Sequence, residues 1–363
     1  ELGNAPSLGY SMSHVMVLRT LARLAPQRGN DLRAMVVNMS FGEHLGAHDG
    51  STLLEAQIGE FTGDGRKSGV CVVKSAGNSG ASGGATSAEI APGGYADIPV
   101  RVSAEKAAPN ELGFNTELWF SSSFNHTVSV FDPAANEVVS LKVAAGEENK
   151  FASAFSENDN KVTIRAIRYH NDNGDTSVLV RIHRGIKNYH PGTWTIRLVR
   201  TDRGPHTAHV DAWIDLLDSR VPTFAGATPE RTLTIPGTAE QIITVGAVKN
   251  EADPKSVMEI SSRGPARNGA HKPELTAPGN RVIGAQAGSE TDLHKWNGTS
   301  FAAPQVSGAI ALLYSRKIAE GKPLPNATQI RAALINSSLG FDGTHDNAAG
   351  FGTLDIDRFL EEF

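Results

Sequence analysis

The sequence predicts an α/β fold in which a parallel sheet flanked by helices is interrupted by an antiparallel β-sandwich insertion. Three observations predict it. Short, continuously apolar runs alternate with helical patterns over the first hundred residues. Period-2 alternation takes over after about residue 95. Parallel-type strands then return near residue 241 and lead to a long helical pattern. Apolar runs without alternation suit strands buried on both faces, whereas alternation with turn signals suits a sandwich. The expected organisation is an α/β part over 1–96, the insertion over 97–216, and a second α/β part over 217–363 that holds the long helix.

In chain order, residues 11–25 place Val15, Leu18 and Ala22 on one helical face. Met35-Val36-Val37 is a short strand running into Asn38-Met39-Ser40-Phe41-Gly42. Leu54, Ile58 and Phe61 align on a second helix. Val70-Cys71-Val72-Val73 is a second buried strand, ending in Ser75-Ala76-Gly77-Asn78-Ser79-Gly80. The alternating pairs follow: Val128/Val130, Val162/Ile164, Val178/Val180/Ile182 and Trp194/Ile196/Leu198. Asn171-Asp172-Asn173-Gly174 lacks the ligand spacing of a calcium loop and reads as a hairpin turn. Ile242–Val245 restores a parallel-type strand. A loop-rich stretch then leads to a helix that opens at Gly298-Thr299-Ser300 and continues through Val306, Ile310 and Leu313.

Composition narrows the function. With 39% hydrophobic and 20% charged residues in 363, a sizeable core is expected rather than disorder. The net charge of −5 and the absence of a basic block give no case for a nucleic-acid partner. No apolar stretch is long enough to span a bilayer. The one cysteine, Cys71, sits in an apolar run and reads as a small buried hydrophobe rather than a reactive thiol. No metal-enzyme pattern such as His-Glu-x-x-His or Cys-x-x-Cys occurs, and no cofactor is implied. The first residue is Glu1 and no signal-peptide pattern follows. The chain therefore reads as a processed or excised piece.

The chemistry concentrates in Asn297-Gly298-Thr299-Ser300-Phe301-Ala302-Ala303-Pro304-Gln305-Val306-Ser307-Gly308. Gly298 permits a tight backbone approach just before the helix. Ser300 then stands at a helix N-terminus, where free N–H groups and the positive dipole end favour a developing anion. Pro304 falls in the first turn or just beyond it. On spacing alone, an ordinary N-capped core helix is the competing reading.

The segment Gly298–Gly308 resembles the serine signature of the subtilisin-like serine peptidases at every fixed position. Three further blocks agree in order. Val37–Gly42 is similar to the family's substrate-binding strand, and Ser75–Gly80 to the loop carrying its oxyanion asparagine. Ser261-Ser262-Arg263-Gly264-Pro265 with Leu275-Thr276-Ala277-Pro278-Gly279 resembles the approach to the serine. The resemblance implies a subtilisin-like sheet and a serine endopeptidase acting on peptide or protein substrates. Ser300 would be the nucleophile, and Asn78 an oxyanion donor together with the Ser300 N–H. Ser40, Phe41, Gly42 and Ser75, Ala76, Gly77 would flank the P1 pocket and pair with substrate backbone. For Phe41 a core aromatic remains the other reading. The family also leans toward an extracytoplasmic or secreted setting.

One departure matters. The family orders its triad Asp, His, Ser, and neither the Asp nor the His segment occurs among the roughly forty residues before the substrate strand. Gly9-Tyr10-Ser11 resembles a stretch downstream of both. Asp and His are therefore expected on a second polypeptide fragment of the same precursor, and this chain alone is expected to be inactive. Other candidates fit poorly: His44, His48 and Asp49 read as a structured loop, His190 lies in the insertion, and His345 and Asp346 read as surface turn residues. Asn78 and Ser300 lie 222 positions apart, and the insertion between them, with Pro191–Leu198 and Val210–Ile214 similar to closing strands, resembles the jelly-roll insertion of a clostridial spore-germination branch of the family, which implies a jelly-roll-like sandwich here. Two alternatives stay open: a pseudoprotease that keeps the fold for binding, and a recognition scaffold that uses the β-sandwich.

Overall fold

The computed structural model describes residues 7–24, 34–103, 113–146, 148–185, 190–215, 222–250 and 256–363, with 7–11 and 24 described through their backbone only. The chain divides into two compact units. Among the described residues the first contains those up to Glu43, then His48–Ala81 and Pro229–Phe363; the second contains His44–Ala47 and Ser82–Thr228.

The first unit is α/β. Helix α1 (Ser7–Leu24) precedes strand β1 (Met35–Met39), helix α2 (Leu53–Thr62) and strand β2 (Val70–Ser75). All six residues of β2 are buried, and they alternate between two cores. Val70 and Val72 face a cluster with Val15, Leu18, Leu54, Ile58 and Phe61 from α1 and α2. Cys71 and Val73 face the opposite side. This two-sided burial is why the run never alternates in polarity. On α1 the inner row is Val15, Leu18 and the partly buried Leu21, while Ala22 is exposed. The face expected from Val15, Leu18 and Ala22 is thus turned by one position at its end. Cys71 is fully buried and its thiol is pushed up to about 12 by desolvation, as befits an inert hydrophobe.

The second unit is the β-sandwich. Its first strands are β3 (Ala85–Ile90), β4 (Tyr95–Val102), β5 (Gly113–Phe120), β6 (His126–Phe131) and β7 (Glu137–Val143). They are followed by β8 (Asn149–Phe155), β9 (Lys161–Ile167), β10 (Thr176–His183), β11 (Gly192–Arg200), β12 (Ala208–Asp215) and the short β13 (Thr223–Phe224). One sheet is ordered β3-β12-β5-β10-β9-β8 and the other β13-β4-β11-β6-β7. The alternating residues read from the sequence, among them Val130, Ile164, Val180 and Ile196, form one core with Trp194 and Phe120. Asn171–Gly174 turns between the antiparallel strands β9 and β10, closed by the Gly174 N–H on His170 O at 2.7 Å. The range 97–216 drawn from patterning lies within this stretch, and its end at 216 falls outside the described residues.

The chain then returns to the first unit with β14 (Ile243–Val248) and β15 (Leu275–Pro278), a small hairpin of β16 (Val282–Ala285) and β17 (Leu293–Trp296), and helices α3 (Thr299–Ala319), α4 (Ala327–Asn336) and α5 (Ile356–Glu361). The parallel sheet is ordered β1-β2-β14-β15. Helix α3 packs across all four strands, so its N-terminus meets their carboxyl ends. Beneath the sheet, the buried Glu274 carboxylate accepts from Lys272 Nζ at 2.6 Å and from the Thr244 N–H at 2.7 Å. Arg331 Nε lies 2.9 Å from it.

Two expectations follow from these interiors. Glu274→Ala strands the buried Lys272 amine, and takes a partner from the part-exposed Arg331, and should cost about 3–5 kcal/mol in denaturant unfolding, whereas an exposed carboxylate such as Glu320 should cost little. In the sandwich, the buried His126 has neither ring nitrogen hydrogen-bonded, and desolvation lowers it from 6.5 to about 4. The unfolded chain binds this proton near pH 6.5 and the folded one only near 4, so the histidine withdraws stability as pH falls through that window, by up to about 3 kcal/mol. Glu117, pushed up to about 7 by burial of its carboxyl, works with the opposite sign over part of the range. The informative quantity is therefore the difference between His126→Phe and the parent. It should grow as pH falls from 6.5 to 4 in thermal unfolding scans, and a constant difference would reject the account.

Candidate active site

The carboxyl ends of β1 and β2 and the start of α3 come together in the first unit. Parallel sheets place ligand sites there because the connecting loops open at that edge. Ser300 is the second residue of α3. Gly298, with φ +136°, precedes the helix, and a Cβ built on it would lie 3.1 Å from Asn78 Nδ2. Only glycine brings the helix start this close to Asn78.

The helix opening is arranged donor by donor. An α-helix leaves its first N–H groups without intrahelical acceptors. The Thr299 N–H donates to Asn78 Oδ1 at 3.0 Å, and the Thr299 hydroxyl donates to the same atom at 3.0 Å. The Phe301 N–H turns back to Gly298 O at 3.1 Å. Because the Thr299 amide can only donate, the Asn78 oxygen is fixed on that side and the NH₂ group is left as the donor. Thr299 Oγ1 also accepts from the Gly77 N–H at 3.2 Å. That threonine went unassigned in the sequence; its signal was its fixed place beside Ser300.

Ser40 and Ser300 are reciprocally joined. The Ser300 hydroxyl donates to Ser40 O at 3.2 Å, and the Ser40 hydroxyl donates to Ser300 O at 3.1 Å. Pro304 explains the second bond: it lacks the N–H that would occupy Ser300 O four residues back, so Ser40 takes it. Asn38 Nδ2 donates to Ser40 Oγ at 2.9 Å, and Ser307 Oγ donates to Asn38 Oδ1 at 3.1 Å, completing the lacing of α3 to the end of β1. Phe41 is 39% exposed and stacks on His14 with ring centroids 4.0 Å apart, so it is no core aromatic.

On the β2 side, Ala76 is fixed by its N–H on Val245 O at 2.8 Å and by its carbonyl, which accepts from the Thr234 N–H at 3.0 Å. Gly77 has φ +110°, and its carbonyl accepts from the Ser262 N–H at 2.9 Å. Ser75 is buried next to Lys74, whose Nζ donates to Ser75 O and, at 3.0 Å, to Thr234 Oγ1. Desolvation lowers that buried amine to about 7. Lys74 and Thr234 were not singled out in the sequence, although a lysine inside Val-Cys-Val-Val-Lys-Ser is a visible oddity.

No histidine among the described residues bonds the Ser300 hydroxyl, whose partner is Ser40 O. His48 is buried with φ +52°, and its carbonyl accepts from the Arg267 N–H at 2.7 Å. Asp49 accepts from the Ser51 N–H at 3.1 Å. His190 pairs with Asn158 Nδ2 in the sandwich at 2.9 Å. His345 meets Pro273 O at 3.0 Å and stacks on His271.

Residues 223–352 match the family model described as the subtilase family. Tripeptidyl-peptidase 2 of Oryza sativa subsp. japonica is 33% identical over 139 residues, covering 34% of this chain and 10% of that protein. Serine protease AprX of Bacillus subtilis (strain 168) is 26% identical over 144 residues, covering 35% of this chain and 31% of its own length. The chain thus aligns with under a third of these relatives. In fold, the Clostridium perfringens CspB protease superposes with a TM-score of 0.80 at 23% identity, over 99% of this chain and 72% of that one. Residues 223–352, which include Ser300, are thus similar in sequence to the subtilisin-like serine peptidases, and the chain shares the fold of one of them.

If the Asn78 amide serves the transition state, its loss should appear in kcat. Asn78→Ala should lower kcat about 10²–10³-fold with KM little changed. That magnitude is the one known for subtilisin's own asparagine. Single-turnover and steady-state kinetics on the assembled protein check it; a near-parental kcat would remove Asn78 from this role.

Proposed function

We propose that this chain is the nucleophile-bearing part of a serine endopeptidase that forms an acyl-enzyme on Ser300, with Asp and His supplied by a separate upstream fragment. The observation that supports the reading is the helix opening, where Thr299, next to Ser300, holds the Asn78 side chain through its oxygen and leaves the amide NH₂ as a donor. Ser300 Oγ attacks the scissile carbonyl, and its proton passes to the histidine of the second fragment. The oxyanion is held by Asn78 Nδ2 and the Ser300 N–H. The amine product leaves with that proton, and water then cleaves the ester. Ser40–Gly42 and Ser75–Gly77 receive the peptide as an added strand.

The surface supports a second fragment. Strand β1 ends the sheet, and its Met35, Val36 and Val37 are only half-buried. An apolar edge strand is a template for further pairing. On α3, Gly308 has open space where a Cβ would stand, and Leu312 one turn on is 57% exposed. On α1, Met16 is 65% exposed and Val17 54%. Leaving such area in water costs roughly 25 cal/mol per Å².

A second reading, recognition through the sandwich, draws on Phe151 and Phe155, which are 64% and 61% exposed on one face of the edge strand β8.

The assembled protein should form a fluorophosphonate adduct on Ser300, located by mass spectrometry and lost in Ser300→Ala. After separation of the polypeptides and refolding, this chain alone should lose peptidase activity by a factor approaching roughly 10⁶, a scale taken from subtilisin's own triad variants. Full-rate hydrolysis by the isolated chain would overturn the two-fragment reading. An adduct elsewhere with Ser300 unmodified would overturn the nucleophile.

A further inference from the structure

We propose that the outer face of strands β8, β9 and β10 is a docking site for an extended acidic peptide, which joins β8 as an added strand and lays an acidic side chain between Phe151 and Phe155. The inference rests on the second reading above, recognition through the sandwich, and names its partner. It needs neither Ser300 nor a second fragment.

Strand alternation sorts the residues. Val162, Ile164, Val178, Val180 and Ile182 belong to the buried core, and Ala152 and Ala154 of β8 pack against it. The residues between them stand on the outer face, where the strand registers line them up in three rows. In the first, Phe151 faces Arg165, which faces Leu179. In the second, Ser153 faces Thr163, which faces Arg181. In the third, Phe155 faces Lys161, which faces His183. The middle row begins with two small side chains, whose hydroxyls lie 3.5 Å apart. Between taller neighbours it forms a shallow trough that opens at β8 and ends at Arg181.

Cations gather around this trough. Among the described residues Lys161, Arg165, Arg181 and His183 form no salt bridge, and Arg181 Nε is buried without a hydrogen-bond partner. The His183 ring is lowered from 6.5, first by burial and then by the Arg181 and Lys161 charges beside it. The acids of the same face lie beyond β10 and have partners of their own. Glu117 accepts from the Gly46 N–H at 2.6 Å, and Asp215 accepts from Asn115 Nδ2 at 3.3 Å. Arg181 acts on Asp215 only across Asn115. Cations without acids to match them are complementary to an acidic partner. They form no basic block in the sequence because they come from alternate positions of two strands.

The edge selects a peptide. Strand β8 ends its sheet and buries none of its seven residues. Such an edge offers main-chain groups to a further strand. Alternate side chains of that strand fall on the outer face, beside Phe151, Ser153 and Phe155 in turn. The residue beside Ser153 has the low row in front of it, so a carboxylate there points toward Arg165, Lys161 and Arg181. The residues two places to either side pack on the exposed Phe151 and Phe155. The partner thus has the pattern apolar-x-acidic-x-apolar. A nucleic acid or an anionic glycan satisfies the cations but makes no strand pairing with β8.

The test uses the purified protein carrying Ser300→Ala, so that no peptide is consumed, and a fluorescein-labelled Thr-Val-Thr-Glu-Thr-Val-Thr peptide. Anisotropy should show saturable binding. Lys in place of the peptide's Glu should weaken it at least about tenfold. N-methylation of the alternate amides that meet β8 should weaken it as much. The double variant Lys161→Glu, Arg165→Glu should reverse the preference and bind the Lys peptide more tightly than the Glu peptide, a gain that an unfolded variant cannot show. Phe151→Ser with Phe155→Ser should weaken both peptides, with thermal unfolding unchanged. Binding that ignores these variants lies elsewhere and overturns the proposal, as does the absence of binding at millimolar peptide. In that last case, single-stranded DNA or heparin bound by the parent and lost in the charge-reversed variant leaves sandwich recognition standing with another partner. If neither binds, that reading falls with the proposal.

Discussion

The arrangement depends on one strand pairing, β2 against β14, with Ile243 opposite Val73 and Val245 opposite Ser75. The Ala76 N–H extends that ladder to Val245 O, so the residues just past β2 are held in line with the sheet. Gly77 and Asn78 emerge from this fixed point. Parallel neighbours need a long crossover between them, and here the crossover contains the whole sandwich. Loop closure grows only with the logarithm of length, so a crossover this long adds little cost once the strand register is specified. The sheet can therefore fix the residues past β2 while the chain between its central strands builds a second core.

Helix α3 converts the sheet edge into a site through two exceptions to helical bonding. Pro304 releases the Ser300 carbonyl, and Ser40 from the end of β1 takes it. Gly298 admits the Asn78 side chain to the helix start, where Thr299 fixes its orientation. Each exception replaces a local bond with one between elements distant in sequence. The result is that Ser300 and Asn78, 222 positions apart, are both held at the helix start by bonds to neighbouring groups. Pre-oriented donors of this kind need no reorganisation when charge develops.

Much of this was legible in the sequence. The buried strands announced themselves as unbroken apolar runs, and the sandwich as alternation, because each period follows from which faces are covered. The serine segment was legible because its small residues and proline occur at fixed places. Other features left weaker traces. The inner row of α1 ends at Leu21 instead of Ala22, since Leu fills the space against α2 and either position is geometrically possible. Phe41 stands on the surface against His14, which periodicity could not decide in a segment that is neither helix nor long strand. Thr234 lies in a loop with no pattern of its own, and its bonds to Ala76 and Lys74 exist only after separate segments have come together. The start of the second unit near Ser82 was blurred because β3 is short, with alternation diluted by Thr86 and Ser87.

The buried charges answer a different need. β14 is buried at all six positions and apolar at all but Thr244, so burial alone does not distinguish its register from one shifted by two residues. Polar groups around its first residues do. Lys272 Nζ donates to Ile242 O at 2.7 Å, and Glu274 accepts from the Thr244 N–H. Glu55 of α2 accepts from Thr238 Oγ1 at 2.5 Å just upstream, while also closing the capping box of its own helix with Thr52. A shift of β14 by two residues would separate Lys272 from its carbonyl and leave the Glu274 carboxylate short of a donor in a dry interior. Such a mismatch costs several kcal/mol, whereas the matched pairs contribute little net stability over an apolar core. Their value is thus in discrimination between registers. The segment that needs it is the one where the chain rejoins the sheet after the sandwich, and where an error would displace Ala76, Gly77 and Asn78 together.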